Sequence, residues 1–299
     1  MAGGFSAIDL SQLPAPDVVQ SVDYEATLAA MLADLRTRAP EFDALLESDP
    51  AYKIMEVAAY FMVLTLQRVN DGARAVMPAS ALGHDLDQIA ARYGVTRLTI
   101  DPGAPDALPP VKALMESDTD LRRRMFLAFE GMSTAGPIGS YIFHALSADP
   151  DVADTSVQSP APGEVLVTVL SRTGDGSASP ELITAVGAAL NADDVRPLCD
   201  QVTVQGAEIV PFTVAATLTI YPGPDSGVVR EAAEVAAAAY AETQHRLGRD
   251  VTLSGLYAAL HQPGVQKVTL TAPVADLTVT DGQASHCTGI AIEVGGVDV

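Results

Sequence analysis

The stretch from Asp49 to Gly94 constrains the fold of this chain most, because it contains one long helix with a wide apolar surface. Asp49 is a residue type that caps helices, and Pro50 fits the first helical position. Pro78 ends or kinks the helix after Met77. Alternating steps of four and three residues connect one apolar stripe, the seam: Met55, Ala59, Met62, Leu66, Val69, Ala73 and Val76. This spacing predicts that the seam packs against another helix.

A second apolar stripe follows the first half of the same helix. Its members are Ile54, Val57, Ala58, Phe61 and Leu64. Residues 52–66 are therefore apolar almost all round, and such a segment has to be covered on more than one side. In the second half, polar residues that include Arg68 and Arg74 lie opposite the seam. Periodicity alone fits the core helix of an ordinary helical domain and a bundle between subunits about equally well.

The whole chain is predicted to be an α+β protein, with an N-terminal helical bundle domain and two small α+β modules after it. The predicted parts are an extended arm (1–20), a helical domain with the long helix (21–99), a proline-rich linker (100–117) and two α+β modules (118–222 and 223–299). The arm carries Phe5, Ile8 and Leu10, which favour contact with a neighbour over a frayed tail. Segments 140–146 and 254–260 resemble each other, which indicates related modules or a chance similarity of two helix–strand units.

Charge and hydropathy exclude several classes of partner. The net charge is −21 and the pI about 4.3, so polyanions are repelled and nucleic acid is a poor partner. No apolar run is long enough for membrane insertion, and the N-terminus lacks the pattern of a signal peptide. We therefore expect the protein to be made and folded in a cytosol.

No motif for catalysis, a cofactor or a metal is visible. The two cysteines form no disulfide framework, and the five histidines lack ligand spacing. His286 and Cys287 are adjacent, but neighbouring strand residues point to opposite faces. We expect no enzyme activity and no cofactor; a hydrolase or transferase in the α+β half would require a polar cluster that the sequence does not reveal.

Several segments together resemble one known family. The sequence QRVNDGARAVM at 67–77, followed by LGHDLDQIAARYGV at 82–95, is similar to the baseplate J-like family of contractile phage tails and tail-like particles. FSAIDLSQLPAPDVV at 5–19 resembles the start of the same proteins. ESDTDLRRRM at 116–125 and STAGPIGSY at 133–141 continue the resemblance in the same order. The match is dense in the first half and mostly one of layout in the second.

This resemblance implies a structural subunit of the tail baseplate. Members of the family assemble, with further copies and a second wedge protein, into hetero-oligomeric wedges. The wedges contact neighbouring wedges, the central hub and spike, the sheath initiator and fibre-bearing proteins, and they help to trigger sheath contraction. The seam, with Arg68, Arg74, Phe5, Ile8 and Leu10, is then expected at subunit interfaces. The alternative is a soluble homo-oligomeric binding module with a ligand site in the α+β half.

Overall fold

The computed structural model describes residues 17–133, 135–223 and 225–298, and it is an α+β fold with a helical N-terminal region. Its helices are α1 (Tyr24–Arg38), α2 (Pro50–Ala75), α3 (Gly83–Ala91), α4 (Asp118–Gly131), α5 (Ile138–Ala148), α6 (Pro180–Leu190), α7 (Ser226–Gln244) and α8 (Leu253–Leu260), with a 3-10 turn at Pro40–Phe42. Its strands are β1 (Thr99–Asp101), β2 (Leu114–Met115), β3 (Val152–Gln158), β4 (Glu164–Ser171), β5 (Gln201–Gly206), β6 (Glu208–Ile220), β7 (Val265–Ala272) and β8 (Gln283–Val297).

The chain folds into two compact units. Of the described residues, the first unit contains those up to Arg97 together with Ser117–Met125, and the second contains Leu98–Glu116 with those from Phe126 onward. The predicted division into five parts is finer than this, and it stays a prediction. Within the predicted linker, β1 pairs antiparallel with β2.

In the first unit, α1 packs on the N-terminal half of α2. Leu28 and Leu32 of α1 are buried against Ala59 of α2. The side chain of Asp23 caps α1 by accepting from Ala26 N at 2.8 Å. Asp49 does not cap α2 in this way, because its carboxylate accepts from Leu46 N at 2.8 Å. The expected side-chain cap is thus replaced by a bond that closes the preceding turn.

The segment after the β1–β2 hairpin returns to the first unit through arginines. Arg97, with 12 % of its side chain exposed, bonds Asp87 and Asp118 at 2.7 Å each. Arg122 donates to Pro78 O at 2.7 Å and Ala81 O at 2.6 Å. The basic run at 122–124 is therefore used partly to satisfy backbone carbonyls.

In the second unit, each of two three-stranded sheets has one antiparallel and one parallel pairing. In the first, β4 lies between β3 and β5, and α5 and α6 supply most of the helical core. In the second, β6 lies between β7 and β8, and α7 and α8 pack against it. Ser179 caps α6 by accepting from Leu182 N at 3.1 Å.

Residue types in the second module predict strands at 277–280 and 290–294 and a Ser226 cap on α7; the structure confirms the second strand but neither the first strand nor the cap. The run 277–280 is not a strand, and Leu277 forms only an isolated bridge with Val251. The last strand begins at Gln283, well before the apolar run at 290–294 that predicted it. Asp225, not Ser226, caps α7 by accepting from Gly227 N at 2.7 Å.

Direct bonds connect the two sheets within the second unit. Arg246, just after α7, donates to Ala153 O at 2.7 Å. Leu247 N donates to the buried carboxylate of Asp154 at 3.1 Å. The two predicted modules thus share one compact unit, except for residues 118–125, which belong to the first unit. Within the described ranges, no helix combines the length and the apolar character that crossing a bilayer requires.

Candidate assembly interface

Among the residues that the structure describes in the first unit, helix α2 packs one of its sides and leaves the rest open. Ala59, Val63 and Asn70 are its buried residues, and their spacing places them on one face. Met55 and Tyr52 are partly buried on the same side, where they pack against the α1 cluster. A single neighbouring helix of 15 residues therefore covers part of a 26-residue helix.

The rest of the α2 surface presents large apolar side chains to solvent. Ile54 is 68 % exposed and Phe61 is 61 % exposed. We call the exposed set the α2 strip, and it comprises Ile54, Val57, Tyr60, Phe61, Met62, Leu64 and Val69. Contiguous exposed apolar surfaces of this kind mark sites of interaction with other proteins.

The structure divides the predicted seam between covered and open positions. Ala59 is buried and Met55 is half-buried, both beside α1. Met62, Val69 and Val76 are exposed, whereas Leu66 and Ala73 are half-buried. The seam's contact with another subunit stays a prediction, and Phe5, Ile8 and Leu10 of the same predicted interface lie outside the described residues.

Charges beside the α2 strip are mostly paired within the helix. Lys53 Nζ lies 2.9 Å from Glu56 Oε2, and this hydrogen bond raises the pKa of Lys53. Arg74 lies 3.7 Å from Asp71, while Arg68 is exposed and forms no ion pair within the described ranges. A partner would thus meet a surface whose main chemistry is apolar, with little charge to desolvate.

Sequence reasoning missed the contact that fixes the start of the described chain. The buried side chain of Asn70 accepts from Gln20 N at 3.0 Å and donates to Gln20 O at 2.8 Å. The amide thereby pairs with a peptide group much as a neighbouring strand would. Sequence reasoning placed Asn70 opposite the seam, but its spacing from Ala59 and Val63 puts it on the buried side of α2, where an amide requires a partner.

A cleft in the second unit brings several titratable side chains together. It has a volume of about 410 Å³, and Glu242, His245, His286 and Cys287 are among its lining residues. The rings of His245 and His286 lie 5.5 Å apart, edge to face. No group of three His, Cys, Asp or Glu side chains in the described ranges is arranged to hold a metal ion.

Comparisons with known proteins agree with one another. Residues 47–104, 133–206 and 212–293 match family models described as the Baseplate J-like N-terminal domain, the Baseplate J-like central domain and the Baseplate J-like protein C-terminal domain. Over 298 residues the chain is 51% identical to "Baseplate protein J" of Escherichia phage P2, covering 97% of this chain and 99% of that protein.

A solved structure, the anti-feeding prophage (AFP) baseplate determined by cryo-EM, contains a chain that resembles this one weakly. The TM-score is 0.43 at 16% identity, over 60% of this chain and 44% of that chain. The chain therefore spans less than half the length of that baseplate protein.

Proposed function

Because this chain belongs to the baseplate J-like family and is a structural protein of the virion tail baseplate, we propose that it acts as a wedge subunit. In this role it joins a second wedge protein in a hetero-oligomer. Such wedges assemble into a ring around the central hub and help to start sheath contraction. The role is mechanical and not catalytic.

The observation that carries the proposal is the α2 strip. Seven large apolar side chains are exposed on one helix, so the free subunit leaves a helix-binding surface open to water. Burying apolar surface of this kind contributes about 25 cal/mol per Å², which favours association strongly. A helix from a partner, placed along the strip, would give residues 52–66 the second covered side that their composition requires.

Native mass spectrometry of the chain, alone and co-expressed with the protein encoded next to it, tests this proposal. A stable mixed complex, with the isolated chain monomeric or heterogeneous, is the expected result. A discrete homo-oligomer that ignores the neighbouring gene product would support the binding-module alternative and refute the wedge assignment.

The residue-level test uses Met62→Glu with a matched control. Met62 is 46 % exposed, so a carboxylate there is solvated in the free subunit but would be buried without a counter-charge in the complex. We expect Met62→Glu to abolish the mixed complex without changing the circular dichroism spectrum. Gln88→Glu adds the same charge at an exposed position on α3, outside the strip, and we expect it to assemble normally. Normal assembly of Met62→Glu would refute the interface.

A further inference from the structure

Helix α7 has a second apolar face that points away from its sheet. Its buried face consists of Val229, Ala233, Ala237 and Ala241, which pack into the core. Steps of four, three and four residues give the outer face, made of Val228, Ala232, Val235 and Ala239, all of which are exposed. Val228 is 66 % exposed and Val235 is 65 % exposed. A helix that only covered its own sheet would need no such second stripe.

The outer face forms part of a shallow groove. Its volume is about 470 Å³, and its lining combines the outer face with Ala236, Glu231 and Gln262, which lies just beyond α8. Ala232 between the two valines and Ala239 beyond Val235 leave depressions in the helix surface, into which side chains of a second helix can fit as knobs. The groove thus has the shape of a site for an amphipathic helix.

The groove has an acidic flank. Glu231 lines the groove four residues before Val235. Glu242 lies seven residues after Val235, on the same side of α7 but one turn beyond the groove, where it lines the cleft with His245. Both are exposed, and neither forms an ion pair in the described part of the chain. Arg230, the nearby cation, is already 3.3 Å from Glu234.

From this arrangement we infer that the α7 groove binds a helix of a different protein. That helix has apolar residues at steps of three and four, and it carries arginine or lysine on the flank that faces Glu231 and Glu242. A second copy of this chain fits less well, because it would bring the same two carboxylates and a further net charge of −21. The inference rests on the proposed function in one respect: the partner helix is expected to belong to another protein of the baseplate.

Site-specific photo-crosslinking in assembled baseplates tests the inference. A photoreactive phenylalanine analogue replaces Val235, and the same analogue at Arg230, on the other side of α7, is the control. We expect Val235 to crosslink to a different baseplate protein, at a segment with a basic residue within one helical turn of the crosslinked position. The Arg230 control should give no such product.

Two further measurements support the result: the first avoids the bulky probe, and the second tests the acidic flank. The first is maleimide labelling of Val235→Cys, with Cys199 and Cys287 changed to serine; we expect labelling in baseplates to be at least about tenfold slower than in the free chain. The second is the combination Glu231→Gln with Glu242→Gln, which should lower the crosslink yield about threefold to tenfold. Glu234→Gln removes an acidic charge from the far side and should leave the yield unchanged.

Three results would overturn the inference: a crosslink to a second copy, a crosslink to a segment without basic residues, or equal labelling of Val235→Cys in free and assembled protein. Each of these leaves the chain in the baseplate and the wedge assignment intact. Absence of the chain from purified baseplates would instead refute the proposed function.

Discussion

Replacing Arg97 should loosen the first unit locally, because one guanidinium fastens two separate parts of that unit. Its Nε bonds Asp87 of α3, and its Nη2 bonds Asp118 at the start of α4, both at 2.7 Å. Asp118 in turn accepts from Gly83 N at 3.0 Å, at the first residue of α3. Arg97→Met keeps much of the aliphatic stem and removes both ion pairs.

The expected cost follows from the burial of these groups. A hydrogen bond to a charged group contributes roughly 1.5–3 kcal/mol, and 88% of the arginine surface is shielded from water, given its 12% exposure. Both carboxylates are nearly a third exposed, at 30% for Asp87 and 29% for Asp118. Water can therefore solvate them again, and we expect a loss of about 2–3 kcal/mol for the pair. Arg97→Lys keeps the charge but not the planar guanidinium that bonds both carboxylates at once, and should lose about half as much stabilisation.

Hydrogen–deuterium exchange measured by mass spectrometry can locate this loss, which global unfolding of a two-unit chain would not resolve. Protection in α3 and in residues 117–125 should fall roughly 30- to 150-fold in Arg97→Met. Peptides from α7, in the other unit, are the internal control. Unchanged protection in α3, or an equal fall in α7, would refute the idea that Arg97 holds the discontinuous first unit together.

The same variant should change the response to acid. Burial alone would raise the pKa of Asp118, but the hydrogen bond from Gly83 N–H and the guanidinium of Arg97 outweigh it and lower the pKa. A lowered folded-state pKa stabilises the fold above the unfolded value of about 3.9 and loses this effect as the pH falls through the folded value. Without Arg97 the folded pKa lies closer to the unfolded value, so protection in α3, already lower at neutral pH, should lose less than in the wild type as the pH falls below about 4.

Two further substitutions test single contacts. Gly94 follows α3 with φ +72°, so Gly94→Ala should destabilise that helix end by about 1 kcal/mol. The substitution should also reduce the exchange protection of Val95 N–H, which donates to Ala90 O at 3.1 Å. Unchanged protection would contradict the left-handed cap. Asn70→Leu keeps the volume but loses both bonds to Gln20, so exchange of the Gln20 amide should accelerate about tenfold or more in NMR spectra, while Gln67→Leu, on an exposed position, should leave it unchanged.

The helix ends show which features of the sequence determine local structure. Pro50 begins α2 as predicted, since it lacks the amide hydrogen that the first turn does not use. The helix ends at Ala75, slightly before the predicted end at Met77, because the backbone tightens ahead of Pro78 and Met77 N bonds Arg74 O at 3.1 Å. Residue type fixes such ends through steric effects within one or two turns, so sequence alone is sufficient for them.

Strands depend on partners that sequence does not specify. The run 277–280 has strand-forming residues, yet in the structure it pairs only through Leu277. The segment 283–289 is polar and rich in small residues, yet it is paired along β6 because the chain brings it there. Strand propensity largely describes how a side chain fits its neighbours, and those neighbours are set by the whole fold.

The candidate interface was predictable as a pattern but not as a surface. The seam and the second stripe follow from spacing alone, while the side that α1 covers depends on tertiary packing. Arg122 illustrates the same limit, because its acceptors at Pro78 and Ala81 lie 44 and 41 residues away. A local charge pattern cannot identify a backbone carbonyl at that separation.

The two exposed helix surfaces differ in chemistry, and this difference predicts different behaviour in an assembly. The α2 strip consists of large apolar side chains with few unpaired charges, so its contacts should resist salt. They should weaken under conditions that weaken the hydrophobic effect, such as cooling or urea. The α7 groove has small side chains and an acidic flank, so its contact should be weaker and should dissociate as ionic strength rises. If a baseplate rearranges when the sheath contracts, the physical expectation is that contacts of the α7 type exchange while contacts of the α2 type persist. Salt titration of isolated baseplates, followed by crosslinking at Met62 and at Val235, would separate the two: loss of the Met62 contact first would contradict this order.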